Sequence, residues 1–173
     1  PTTRVCHGYA SIMVKDETEY THHQPEGFIK DSKRWVIFPR LSFMNHKKIE
    51  ARNQELSDIF SSYEKNTIHP SCDAFKDSKK GIATGGISYT YTMETLKKTG
   101  MVKTLKIATP HPFPEKLAVD FLSGLDEVLC LEELDPVIER ELIYICGKYH
   151  LPTRINGKLS GHTACAGENT RDT

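Results

Sequence analysis

From about residue 80 to residue 156, short apolar runs alternate with amphipathic stretches of helical period, and few folds accept that rhythm. The run Gly81-Ile82-Ala83-Thr84 ends in Gly85-Gly86. Ile87 to Thr99 then reads as a helix with Met93 and Leu96 inward and Gly100 as its stop. Val102 to Ala108 is β-prone. Pro110, Pro112 and Pro114 make a stiff connection, and Pro114 suits the first position of a helix running from Glu115 to Leu122, which Gly124 ends. Glu127 to Leu131 is a strand of buried type. Asp135-Pro136 reads as a cap and first turn, followed by a helix whose apolar face holds Val137, Ile138, Leu142, Ile145 and Tyr149. Thr153-Arg154-Ile155 closes the series. Strands separated by single helices run parallel, so the predicted fold is α/β. It is a mostly parallel sheet of about four to five strands with helices on both faces.

A mixed arm precedes this unit. Val5 to Val14 reads as a strand. Glu17 to Lys33 is polar, with a turn across His22-His23-Gln24-Pro25-Glu26-Gly27. Trp35 to Phe38 is a β-prone run stopped by Pro39. Asn45 is placed to cap one long helix near 46–63, where Ile49, Leu56, Ile59, Phe60 and Tyr63 form an apolar stripe on a charged surface. Asn66 to Lys80 is loop-like. The polar tail from Gly157 to Thr173 reads as a linker.

Composition narrows the function. Lys+Arg and Asp+Glu both number 23, so the basic excess of a dedicated nucleic-acid binder is missing. No apolar run approaches the roughly 18–20 residues that span a bilayer. Cys6, Cys72, Cys130, Cys146 and Cys165 are odd in number and scattered, which suits free thiols in a reducing cytoplasm better than a disulfide framework. Pro1-Thr2-Thr3-Arg4 is no signal peptide, and the sequence reads as a piece of a longer chain.

Motifs that carry chemistry are sparse. Gly81-x-x-x-Gly85-Gly86 invites a phosphate-binding reading, but its spacing fits neither common phosphate loop, and a tight strand-to-helix turn accounts for the glycines. Gly157-Lys158-Leu159-Ser160 lacks the upstream glycine of a P-loop. The nearest cysteines, Cys130 and Cys146, are sixteen apart, too far for cluster or zinc spacing. His22-His23 lies in a polar loop without partners at ligand spacing. Cys6 and His7, adjacent on a strand, would face opposite ways. Glu132-Glu133-x-Asp135 sits at a strand's C-terminal edge, where α/β folds bind ligands, but carboxylates there also stabilise the start of the next helix.

Several blocks resemble one family. VLCLEELDPVIE, from Val128 to Glu139, is similar to the VLVVEELDPFIE segment of indolepyruvate ferredoxin oxidoreductase alpha subunits, members of the 2-oxoacid:ferredoxin oxidoreductases. LKIATPHPFPE, from Leu105 to Glu115, resembles that family's KLGTPYPLPE, and GIATGGISY, from Gly81 to Tyr89, its GIITSGISY. GKLSG, from Gly157 to Gly161, and TTRVCH, from Thr2 to His7, are similar to GKLTG and TTRVSH, in the family's order. Cys6 departs from the family's serine, and Gly167-Glu168-Asn169-Thr170 replaces a GELT-like stretch.

The resemblance implies a parent enzyme that oxidatively decarboxylates aryl-pyruvates to acyl-CoA. Thiamine diphosphate, magnesium and 4Fe-4S clusters are its expected cofactors, and coenzyme A, ferredoxin and a second subunit its expected partners. It implies that 1–12 end the pyrimidine-type thiamine domain and 13–79 connect. Residues 80–156 would form the transketolase C-terminal-like domain, and 157–173 would lead to a further domain. Neither a Gly-Asp-Gly stretch followed by paired Asn nor a cysteine cluster occurs here, so no catalytic, cofactor-binding or metal-binding residue carries over to this sequence. Arg4 and His7 sit in a matching motif without an assigned role. The expected function is a non-catalytic structural and interface domain of that oxidoreductase. The alternative is a free-standing α/β module that binds a small anion at the Gly85-Gly86 turn.

Overall fold

A computed structural model describes residue 11 and residues 13–16 and 19–170. Arg4, the Cys6–His7 pair, nearly all of segment 1–12 and the tail's last three residues lie outside the described residues, as does most of the strand read over Val5–Val14.

The elements in order are α1 (Ser32–Trp35), α2 (Pro39–Ser61), β1 (Thr67–His69), β2 (Lys80–Gly85), α3 (Gly86–Thr99), β3 (Lys103–Ile107), α4 (Glu115–Leu122), β4 (Glu127–Leu131), α5 (Val137–Tyr149) and β5 (Arg154–Asn156). One sheet of five strands runs in the order β1-β3-β2-β4-β5. The pairs β2–β3, β2–β4 and β4–β5 are parallel, and β1 runs antiparallel to β3. The chain steps from β2 to β3 on one side, then crosses to β4 and β5 on the other. Right-handed crossovers therefore put α3 on one face and α4 and α5 on the opposite face.

The two faces differ in chemistry. Gly81, Ala83, Leu105, Val128 and Cys130 share the α4/α5 face, where Phe121, Leu122, Leu142 and Ile145 complete an apolar core. The α3 face is built from small polar groups. Thr84 and Thr104 are fully buried there, and α3 turns Ser88, Thr92 and Leu96 inward at helical spacing. The three threonine hydroxyls on this face each find a carbonyl: Thr84 donates to Leu131 at 2.8 Å, Thr92 to Ser88 at 2.7 Å and Thr104 to Val102 at 2.7 Å. Met93, expected inward, is only half-buried.

The arm departs from expectation. Pro39 starts α2 instead of stopping a strand, because a missing N–H and a fixed φ suit the first helical position. The helix is Pro39–Ser61, earlier than 46–63, so Asn45 lies inside it and caps nothing. Trp35 ends the short helix α1, whose start Asp31 caps by accepting the Lys33 N–H at 2.9 Å. The supposed loop after Asn66 contains β1, a strand of 3 residues, too short to show a period of two. The tail read as a linker folds back. Lys158 is 6% exposed and donates to the Ala164 carbonyl at 2.5 Å, and the Leu159 N–H reaches the buried Glu139 carboxylate at 3.1 Å.

Candidate functional site

The C-terminal ends of β2, β3 and β4 open into a cleft of about 870 Å³. It lies where the chain's crossovers part to either side of β2, the place where open α/β sheets leave a crevice. Gly85-Gly86 and Glu132-Glu133, far apart in sequence, meet across it.

Each glycine has a separate cause. A Cβ on Gly85 would sit 2.8 Å from the Ile107 carbonyl oxygen and 3.1 Å from Ile138 Cδ1, so glycine lets β2 pack tightly under α5. Gly86 has φ of +57° and open space around it, so glycine there provides the left-handed turn into α3. No side chain caps α3. Lys106 reaches the same rim from β3, with its Nζ 4.6 Å from the centre of the Tyr89 ring. Tyr89 Oη lies 3.0 Å from His69 Nε2, and the two rings stack.

The acidic side has been taken up by structure. Glu132 is 7% exposed and accepts the N–H groups of Ile138 at 2.9 Å and Glu139 at 3.0 Å, satisfying the open start of α5. Asp135, expected as the cap, instead lends its backbone carbonyl to the Val137 N–H. Burial pushes the Glu132 carboxyl above its ordinary value, against the opposing pull of the α5 N–H groups. Glu133 accepts the Asn169 N–H at 2.9 Å, and the Asn169 amide donates to Ser88 Oγ at 2.8 Å. The tail therefore joins the two lips of the cleft. Leu134, between them, has φ of +60° and is 52% exposed.

The other candidates stand apart from the cleft or inside the core. His22 and His23 are exposed on the arm. Cys130 is buried, and desolvation, followed by the charges of Glu132 and Glu139, pushes its thiol far above the usual range. Burial also raises Cys146. Cys72, Cys130, Cys146 and Cys165 are all free thiols. Among the described residues no three His, Cys, Asp or Glu side chains group as metal ligands do, and no helix is long and apolar enough to cross a membrane. Sequence reasoning missed Lys106, Tyr89, His69 and Asn169. For Lys106 and His69 the link is register: Lys106 pairs with Thr84 on the α3 face, and His69 with Thr104. No local motif carries that information.

The cleft is built largely from the blocks Gly81–Tyr89 and Val128–Glu139. The chain is 33% identical over 162 residues to the indolepyruvate oxidoreductase subunit IorA of Methanothermobacter thermautotrophicus, covering 92% of this chain and 25% of that one. The relatives this chain matches are IorA subunits. IorA of Pyrococcus abyssi is 33% identical, over 91% of this chain and 24% of its own length. IorA of Thermococcus kodakarensis is 32% identical, over 82% and 22%. The chain thus spans about a quarter of the length of the IorA relatives it matches. No family model and no solved structure matches it.

Proposed function

We propose that this chain is the transketolase C-terminal-like α/β domain, residues 80–156, with its connecting arm, of an IorA-type subunit, and that it serves there as a structural and interface domain. The whole enzyme would oxidatively decarboxylate aryl-pyruvates in the cytoplasm, with thiamine diphosphate, magnesium and 4Fe-4S clusters, passing electrons to ferredoxin and the acyl group to coenzyme A. Residues 1–12 would end the preceding thiamine domain, and 157–173 would lead onward.

One observation carries the reading: the chain matches IorA over almost its whole length but only a quarter of theirs. The cleft supports the structural role, because its best-placed acids are engaged locally. Glu132 holds the start of α5, and Glu133 holds the tail. An anion at Gly85-Gly86 would meet Glu133 and Asp135 across the same cleft, which disfavours the alternative module.

Calorimetry with thiamine diphosphate and magnesium tests the assignment. The 173-residue chain is expected to give no binding heat. Binding at millimolar affinity or tighter would contradict it. A phosphate ligand that raised stability by about 2.7 kcal/mol at 100 times its dissociation constant would favour the anion-binding module instead.

A further inference from the structure

We propose that residues 28–52 form a docking strip for an acidic, apolar surface elsewhere on the same polypeptide. This rests on the reading above, that the chain is a quarter of an IorA-type subunit.

The strip is apolar and bare. Phe28 is 85% exposed, Ile37 77%, Phe38 67%, Phe43 59% and Trp35 51%. Five large apolar side chains so exposed within 16 residues are costly in water unless something covers them. The C-terminal part of α2 shows what docking looks like. There Ser57 is 7% exposed and donates to the Phe113 carbonyl at 2.5 Å, and Asp58 pairs with Lys116 at 3.0 Å. Among the described residues, the N-terminal part of this 23-residue helix stays largely exposed, with Phe43, Met44 and Ile49 all on the surface.

The strip is also basic and locally ordered. From Lys30 to Arg52 it carries seven Lys or Arg side chains against Asp31 and Glu50, an excess of five on a chain of zero net charge. Trp35 Nε1 donates to the Ile29 carbonyl at 2.8 Å, and Arg34 lies 4.5 Å over the Trp35 ring. Lys47 covers Phe43 at 4.6 Å. Basic heads beside exposed rings call for an occupant that offers both apolar area and carboxylates. The matched relatives are about four times longer than the segment they share with this chain, so most of such a polypeptide lies outside the described residues and can supply that surface.

Amide hydrogen exchange over residues 28–52 tests this, read in the 173-residue chain and in the complete polypeptide that contains it. The strip is expected to exchange freely in the short chain at every concentration and to slow by about tenfold or more in the complete one. The variant Lys33→Glu/Arg34→Glu/Lys47→Glu/Lys48→Glu of the complete polypeptide should return the strip to fast exchange while β2 and β4 stay protected. Equal, fast exchange in both chains would overturn the docking strip and leave the domain assignment standing. Protection that grows with concentration in the short chain would assign the strip to a second copy and overturn the proposal. Stop codons on both sides of this segment would overturn the strip and the domain assignment together.

Discussion

Glu132 and Glu127 are both carboxylates on β4 or just past it, and they respond to pH in opposite directions. Glu127 accepts bonds from Arg154 at 2.7 Å and from Asn156 at 2.5 Å, and these hold its carboxyl below the ordinary range. Its folded pKa lies under its unfolded one, so its contribution is present above the ordinary glutamate value and lost as pH falls through the folded value. Glu132 is raised by burial, so its contribution is complete below the ordinary value and declines as pH rises through its folded value. Urea denaturation across pH should therefore show a shallower acid-side loss for Glu127→Gln and a shallower loss on the higher-pH side for Glu132→Gln. Removing the Glu132 carboxylate altogether strands two N–H groups of α5, so Glu132→Ala should cost about 1–3 kcal/mol at neutral pH. The neighbouring glycines give a second contrast. Gly85→Ala forces a methyl against the Ile107 carbonyl and should cost about 1–3 kcal/mol through overpacking. Gly86→Ala has room and should cost about 1–2 kcal/mol through its positive φ alone.

At the scale of elements, legibility followed length and period. The helix α4 and the strand β4 stand where the sequence puts them, at Glu115–Leu122 and Glu127–Leu131, because proline and glycine bound the first and an unbroken apolar run marks the second. The helix α2 was misread at its start because Pro39 can either end a strand or open a helix, and only the following residues decide. The antiparallel strand β1 was invisible because its partner, β3, is nearly forty residues away. The same distance hid the Lys106–Tyr89–His69 side of the cleft, whereas Gly85-Gly86 and Glu132-Glu133 were legible as local motifs. Lys103 shows the role of one strand residue in finishing a helix. Its ammonium donates to the Phe121 carbonyl at 2.7 Å and to the Ser123 carbonyl at 3.3 Å at the end of α4, and burial lowers its pKa. Lys103→Met keeps the stem and removes the donor, so it should lower stability by about 1 kcal/mol in urea denaturation and speed exchange at the end of α4 first.

The whole molecule divides into a sheet with one oily face and an arm whose first half leaves its large apolar side chains mostly exposed. The tail joins the lips of the cleft through Asn169, so the segment following β5 is held against the same edge that Gly86 and Leu134 shape. On the arm side, Ser57 and Asp58 of α2 are held to the domain through the Phe113 carbonyl and Lys116. We propose that this is an IorA-type domain working as part of a longer chain. The most direct test is the DNA reading frame on either side of the segment. A continuous frame with a Gly-Asp-Gly stretch, paired Asn and clustered cysteines is expected. A start codon just before Pro1 and a stop just after Thr173 would contradict it, and would make the chain a self-contained protein.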